Sequence, residues 1–129
     1  MRIRKTTGGL TVNAVAGAHV VFLGMNIAEE LRAGLRGFAV RRHDNTEKEI
    51  EWMRGTKVFE SLIPTPAPGV NYSSAEHPFQ SFQWSDYSAK PGYNYLYEVH
   101  ALYGQPGDLK TKFQCDVEVA TEKTDQNAH

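Results

Sequence analysis

Hydrophobic and polar positions alternate along most of this chain, most cleanly in the run launched by Pro91-Gly92. Tyr93, Tyr95, Tyr97, Val99, Ala101 and Tyr103 share one face at period 2, with Asn94, Glu98 and His100 on the other. That pattern predicts a long central β-strand. Phe113, Cys115, Val117 and Val119, set against Lys112, Gln114, Asp116 and Glu118, predict a final antiparallel strand with one solvated face. Gly104-Gln105-Pro106-Gly107-Asp108 between the two runs has turn chemistry.

Upstream, Leu10 to Ala16, bounded by Gly8-Gly9 and Gly17, predicts a short first strand at a sheet edge. His19 to Ile27 predicts a second, with Val21, Leu23 and Met25 inward. Ala28 to Arg36 contains Gly34 and is too short for a stable helix, so it reads as a loop with one helical turn at most. Gly37 to Arg42 predicts a third strand with Phe38 and Val40 inward, and His43-Asp44-Asn45-Thr46 a hairpin tip. Glu49 to Met53 returns as an edge strand on which Ile50 and Trp52 share a face, ending at Arg54-Gly55. Phe79 to Trp84 resumes strand character, with Phe82 and Trp84 on one face.

From Thr56 to Pro78 the composition changes. Pro64, Pro66, Pro68 and Pro78 remove backbone donors, which predicts a long loop. Such a loop is either functional or a cover packed by Val58, Phe59, Leu62 and Ile63. Thr121 to His129 is polar and reads as a tail or linker after a single domain at 1–120. About seven strands with little helix predict an all-β fold, an antiparallel β-sandwich.

The formal net charge of −1 argues against a general nucleic-acid or anionic-membrane binder, which needs a basic face. One cysteine, Cys115, excludes an intrachain disulfide, and its period-2 spacing with Phe113 and Val117 reads as an inert core thiol. No window approaches a membrane span, so a soluble, cytoplasmic chain is expected. His19, His43, His77, His100 and His129 are scattered without ligand spacing, so no metal or other cofactor is expected. His43 and His100 read as solvated. No nucleophile motif such as G-x-S-x-G or S-x-x-K is present.

Two other constellations have a functional and a structural reading. Trp52, Trp84, Tyr93, Tyr95, Tyr97 and Tyr103 could line a sugar or peptide groove, but their alternation places most of them in an inter-sheet core. Arg36, Arg41, Arg42 and His43 could form a small phosphate-binding patch, although charges guarding an edge strand are the commoner arrangement.

P-G-x-x-Y-x-Y-x-V-x-A over Pro91 to Ala101 resembles the sixth strand of fibronectin type III domains, an immunoglobulin-like sandwich fold, with Tyr95 at the position of the tyrosine corner. Gly37 to Arg42 resembles that family's third strand. Met25 replaces its usual second-strand tryptophan, and Ala89 its usual leucine, leaving Tyr87 or Trp84 to fill that volume. Over nearly its whole length the chain is similar to the N-terminal, fibronectin-like region of bacterial phospholipase D-like proteins. G-F-A-V-R-R at 37–42, P-F-Q-S-F-Q-W-S-D-Y at 78–87, K-P-G at 90–92 and Y-E-V-H-A-L-Y-G at 97–104 carry this likeness.

In that family catalysis belongs to a later domain with repeated H-x-K-x-x-x-x-D motifs, and no histidine here has a lysine two residues on. The resemblance therefore implies a non-catalytic module that docks a catalytic or other protein domain, in cis or in trans. The initial methionine and polar tail fit an N-terminal module leading into a linker. Tyr95, Trp84, Phe38, Val40, Val99 and Met25 are its expected structural residues. Arg36, Arg41, Arg42, Trp52, Phe59 and Tyr72 are its candidate contact surface. The alternative is a stand-alone sandwich that binds a ligand or carbohydrate through exposed aromatics and the 56–78 loop.

Overall fold

The structure is a computed structural model that describes residues 1–55 and 57–124. Its strands are β1 (Arg2–Thr7), β2 (Leu10–Ala16), β3 (Val21–Ile27), β4 (Leu35–Asp44), β5 (Glu49–Trp52), β6 (Arg54–Gly55), β7 (Tyr72–Ser73), β8 (Gln83–Asp86), β9 (Asn94–Gln105) and β10 (Asp108–Ala120), with one 3₁₀ turn at Glu29–Leu31. They form two four-stranded antiparallel sheets, in the orders β1-β2-β3-β8 and β10-β9-β4-β5, and a two-stranded ribbon of β6 with β7. The alternating runs explain the layering. Leu10, Val12, Leu23, Met25 and Ile27 from the first sheet join Phe38, Val40, Tyr97, Val99, Val117 and Val119 from the second in one buried cluster. Cys115 lies in the same cluster. Among the described residues no helix is long and apolar enough to cross a membrane.

β9 is central, paired to β10 on one side and β4 on the other. Near its start Tyr95 is 1% exposed, and its hydroxyl accepts a hydrogen bond from Lys90 N–H at 2.9 Å, five residues upstream. The ring fills the core while the hydroxyl fixes the connection from β8. Tyr95→Phe is expected to cost about 1 kcal/mol, because it strips the partly buried Lys90 amide of that partner. Asn94→Ala, whose side chain bonds Asn45 at the surface, is expected to cost roughly 0.5 kcal/mol or less. Urea melts of both variants check this, and equal losses would refute it.

Several expectations need correction. Leu10–Ala16 is not a sheet edge, because β1 pairs along it from Arg2↔Val15 to Thr7↔Leu10. The sequence RIRKTT shows no apolar alternation because it serves as a guarded outer strand, with only Ile3 part-buried. It also reaches the other sheet, where Lys5 C=O accepts from Cys115 Sγ at 3.5 Å. His43 and Asp44 belong to β4 rather than to a hairpin tip. Asp44 is buried and its Oδ1 accepts from Thr46 and Glu47 N–H, so it caps the turn that follows. The strand read over Phe79–Trp84 starts later, as β8. Phe79 instead makes a single bridge to Phe38.

Over residues 57–78 the expected loop is anchored more by polar groups than by the four apolar residues expected to pack it. Leu62 is 44% exposed, and Val58, Phe59 and Ile63 are only part-buried. Ser74 is buried, with its Oγ accepting from Val40 N–H at 3.1 Å. Buried His77 accepts from Phe59 N–H through Nδ1 at 3.1 Å. Tyr87 is 81% exposed and fills no core volume, whereas Trp84 packs against the core cluster. Thr121 is buried and joined to Lys90 and Tyr93 by hydrogen bonds, so the start of the polar tail belongs to the domain. The rest of that tail, 125–129 with His129, lies outside the described residues.

Candidate functional site

β5 and β8 are terminal strands of opposite sheets, and the space between them is an open cleft of about 310 Å³. Trp84 and Tyr87 contribute its aromatic surface, Trp52 borders it from β5 with its ring turned to Arg41 and His100 on the outer face, Arg54 and Asn71 enter from the β6–β7 ribbon and its approach, and Glu51, Asp86 and Ser88 line it with oxygens. A second, more apolar hollow of about 300 Å³ lies on the Phe79 side of Trp84. Phe79 stacks on the indole there, with ring centroids 4.8 Å apart.

The polar wall of the cleft is one network. Arg42 lies on the core-facing parity of β4, two positions beyond Val40, so its charge needs partners. Its Nη1 donates to Asp86 Oδ2 and to Ser88 Oγ, each at 2.8 Å, and its Nη2 donates to Glu51 Oε1 at 3.1 Å. Tyr97, also inward, donates its hydroxyl to Asp86 Oδ2 at 2.7 Å. Ser88 donates both its hydroxyl and its amide to Asp86 Oδ1. The guanidinium sits 4.9 Å from the Tyr95 ring centroid. Arg42 Nε is buried with no hydrogen-bond partner among the described residues.

Burial pushes the Asp86 carboxyl up. Hydrogen bonds from Ser88, Tyr97 and Arg42, with the Arg42 charge, outweigh that and hold it below the usual aspartate value. Burial and the adjacent carboxylate push the Tyr97 phenol far above its ordinary value. Asp86 is therefore a committed anion rather than a free general base.

A second cluster lies on the outer face of the β4–β9 pair. Glu98 accepts from His43 through a close contact with Nε2, meets His100 Nε2 at 3.1 Å and lies 3.8 Å from Arg41 Nε. Burial raises the Glu98 carboxyl, but the two imidazoles and Arg41 bring it below the usual glutamate value. The expected solvated histidines are thus corrected: His100 is 8% exposed and stacks near Trp52, and His43 is part-buried. Thr111 Oγ1 lies 3.1 Å from His100 Nδ1. Hydroxyl, imidazole and carboxylate occur in the order of a nucleophile relay, but Thr111 is exposed at a bulge on the sheet surface and not held in a cleft. Among the described residues no group of three or more His, Cys, Asp or Glu is arranged to hold a metal ion.

No protein family matches the sequence, and no curated protein does. The chemistry rests on the chain's own residues.

The six candidate contact residues do not form one patch. Arg36 is exposed and donates to Gly104 C=O at 2.7 Å. It stands about 20 Å along β4 from Arg42. Arg42 is committed to Asp86, and Arg41 covers the Trp52 ring at 5.6 Å. Phe59 and Tyr72 both pack on His77, at 5.9 and 5.6 Å between ring centroids. Arg36, Arg41, Arg42 and His43 therefore make no assembled phosphate patch, because three of the four already face carboxylates and the fourth bonds backbone. Phe38, Val40 and Val99 are fully buried and Met25 nearly so, while Trp84 is part-buried with one side open to the cleft.

The Arg42–Asp86–Tyr97 network went unread in the sequence, although a signal for it exists. Strict alternation from Phe38 and Val40 carries Arg42 and Asp44 to the core side, and a polar residue at an inward position implies a buried partner.

Proposed function

We propose that the chain is a non-catalytic fibronectin type III-like module, akin to the N-terminal region of phospholipase D-like phosphodiesterases. In this reading it docks a catalytic or other protein domain, in cis or in trans. The observation that supports it is the corner at Tyr95. A tyrosine near the start of a central strand, bonded through its hydroxyl to backbone five residues upstream, is a hallmark of immunoglobulin-like sandwiches at the turn between their sheets. That corner falls within the sequence stretch that carries the family likeness. The anchored 57–78 segment and the outer face around Trp52 are the surfaces available for docking.

The purified chain is expected to give no turnover of phosphatidylcholine or of bis(p-nitrophenyl) phosphate. It lacks a histidine-lysine pair able to form and protonate a phosphoenzyme. Hydrolysis that His100→Ala or Glu98→Gln abolishes would overturn this reading and point to the outer-face cluster as a catalyst. For the in cis form, two H-x-K-x-x-x-x-D motifs are expected downstream in the same reading frame.

A further inference from the structure

We propose that the outer face of the β1-β2-β3-β8 sheet is a binding surface for single-stranded nucleic acid. The formal net charge of −1 conceals a sorting of charge between the two sheets. β1 carries Arg2, Arg4 and Lys5, and the only carboxylate on the four strands of its sheet is Asp86, which is buried and held by Arg42. The excess of carboxylates lies on the strands of the other sheet. A polyanion that approaches the first sheet meets no like charge from its strands.

Strand register lays out the surface. Arg2 and Arg4 are exposed on one face of β1, about 7 Å apart along the strand. Among the described residues neither has a carboxylate within ion-pair distance. With Asn13 and Val15 they border a shallow hollow of about 260 Å³, room for a phosphate between two guanidinium forks. Two strands away, about 10 Å across the sheet, Phe22 is 37% exposed. Its ring leans over Gly24, with Cε1 3.8 Å from the place a β-carbon would take there. Gly24 pairs with Asn13 on one side and Gln83 on the other, and both are exposed. The missing side chain thus leaves a notch with an aromatic ring at one end and an amide on each flank. An unpaired base stacks on such a ring whatever its identity, and the amides offer donors and acceptors to its edge. An anionic lipid surface is the other occupant to weigh. It draws its affinity from buried apolar area as well as charge, yet Phe22 and Val15 are the only apolar side chains on the outward positions of these strands.

The anisotropy of a fluorescein-labelled oligothymidine of about 12 nucleotides is expected to rise saturably with the chain at low salt. Two phosphate contacts give a salt slope of about −1.4, so affinity should fall about sevenfold between about 50 and about 200 mM salt. Replacing both arginines, Arg2→Ser with Arg4→Ser, should flatten that slope. Phe22→Thr should weaken binding about tenfold and Phe22→Tyr should retain it. All of these alter exposed side chains, and an unchanged melting temperature checks that the fold is kept. The same oligonucleotide annealed to its complement should bind more weakly, because its bases are already stacked. No rise in anisotropy, a duplex bound as tightly as the single strand, or binding that the arginine and Phe22→Thr variants leave intact would overturn the site. So would binding confined to phosphatidylserine vesicles or to polyglutamate. Each outcome is read on the isolated chain and is independent of whether it docks a catalytic domain.

Discussion

Asp86→Ala is expected to destabilise the domain by about 3–5 kcal/mol, the cost of breaking a buried ion pair from one side. Asp86 is 1% exposed, and the Arg42 side chain only 11%. Removing the carboxylate leaves the guanidinium with Glu51 and Ser88 alone, and leaves the buried Tyr97 hydroxyl without its acceptor. Adding Arg42→Met should recover part of the loss, since the uncompensated charge is then gone. The same carboxylate gives the domain an acid limit. Its folded pKa is depressed, so its contribution is complete above the ordinary aspartate value near pH 4 and is lost as pH falls through the folded value. Glu98, also depressed, acts with the same sign. Asp86→Asn should therefore show a shallower loss of stability on acidification than the parent chain. Urea melts from neutral to acid pH measure both effects. A loss below about 1 kcal/mol for Asp86→Ala at pH 7 would mean that the network is solvated.

That network marks where the sequence was hardest to read. β3, β9 and β10 are legible because each has one face in the core, and a single-residue slip would expose the whole apolar set. Val21, Leu23 and Met25 and the Tyr95–Ala101 series follow their parity to buried positions. β1 is illegible for the opposite reason, since a charged outer strand is held by its ladder and needs no apolar face. The cleft was concealed by topology. Trp52 and Trp84 lie far apart in sequence, on edge strands of different sheets, and alternation along each strand says nothing about two edges that meet. His77 and Ser74 escaped notice because their packing depends on where a proline-rich segment returns to β4, which no local pattern encodes.

Gly37→Ala is expected to cost more than about 3 kcal/mol and to leave little folded protein at moderate urea, for two reasons that add. Gly37 has φ of +142°, a region essentially reserved for glycine, which alone costs an alanine about 1–3 kcal/mol. A β-carbon there would also stand 2.5 Å from the Phe79 carbonyl oxygen and 3.1 Å from its carbon. Phe79 cannot yield cheaply. Its N–H and C=O both bond Phe38 at 2.8 Å, its ring stacks on Trp84, and the ladder between β4 and β9 already shifts register at Leu35/Gly37. Moving Phe79 would break a bridge that holds the end of the 57–78 segment to the sheet, and would disturb the indole that walls the cleft. Gly69→Ala isolates the backbone cost, because Gly69 has φ of +76° with no atom within 4 Å of the added carbon. It should lose only about 1 kcal/mol. Urea melts followed by tryptophan emission compare the two variants, and equal losses would show that residues 78 and 79 give way freely and that the Phe38–Phe79 bridge does not constrain the fold.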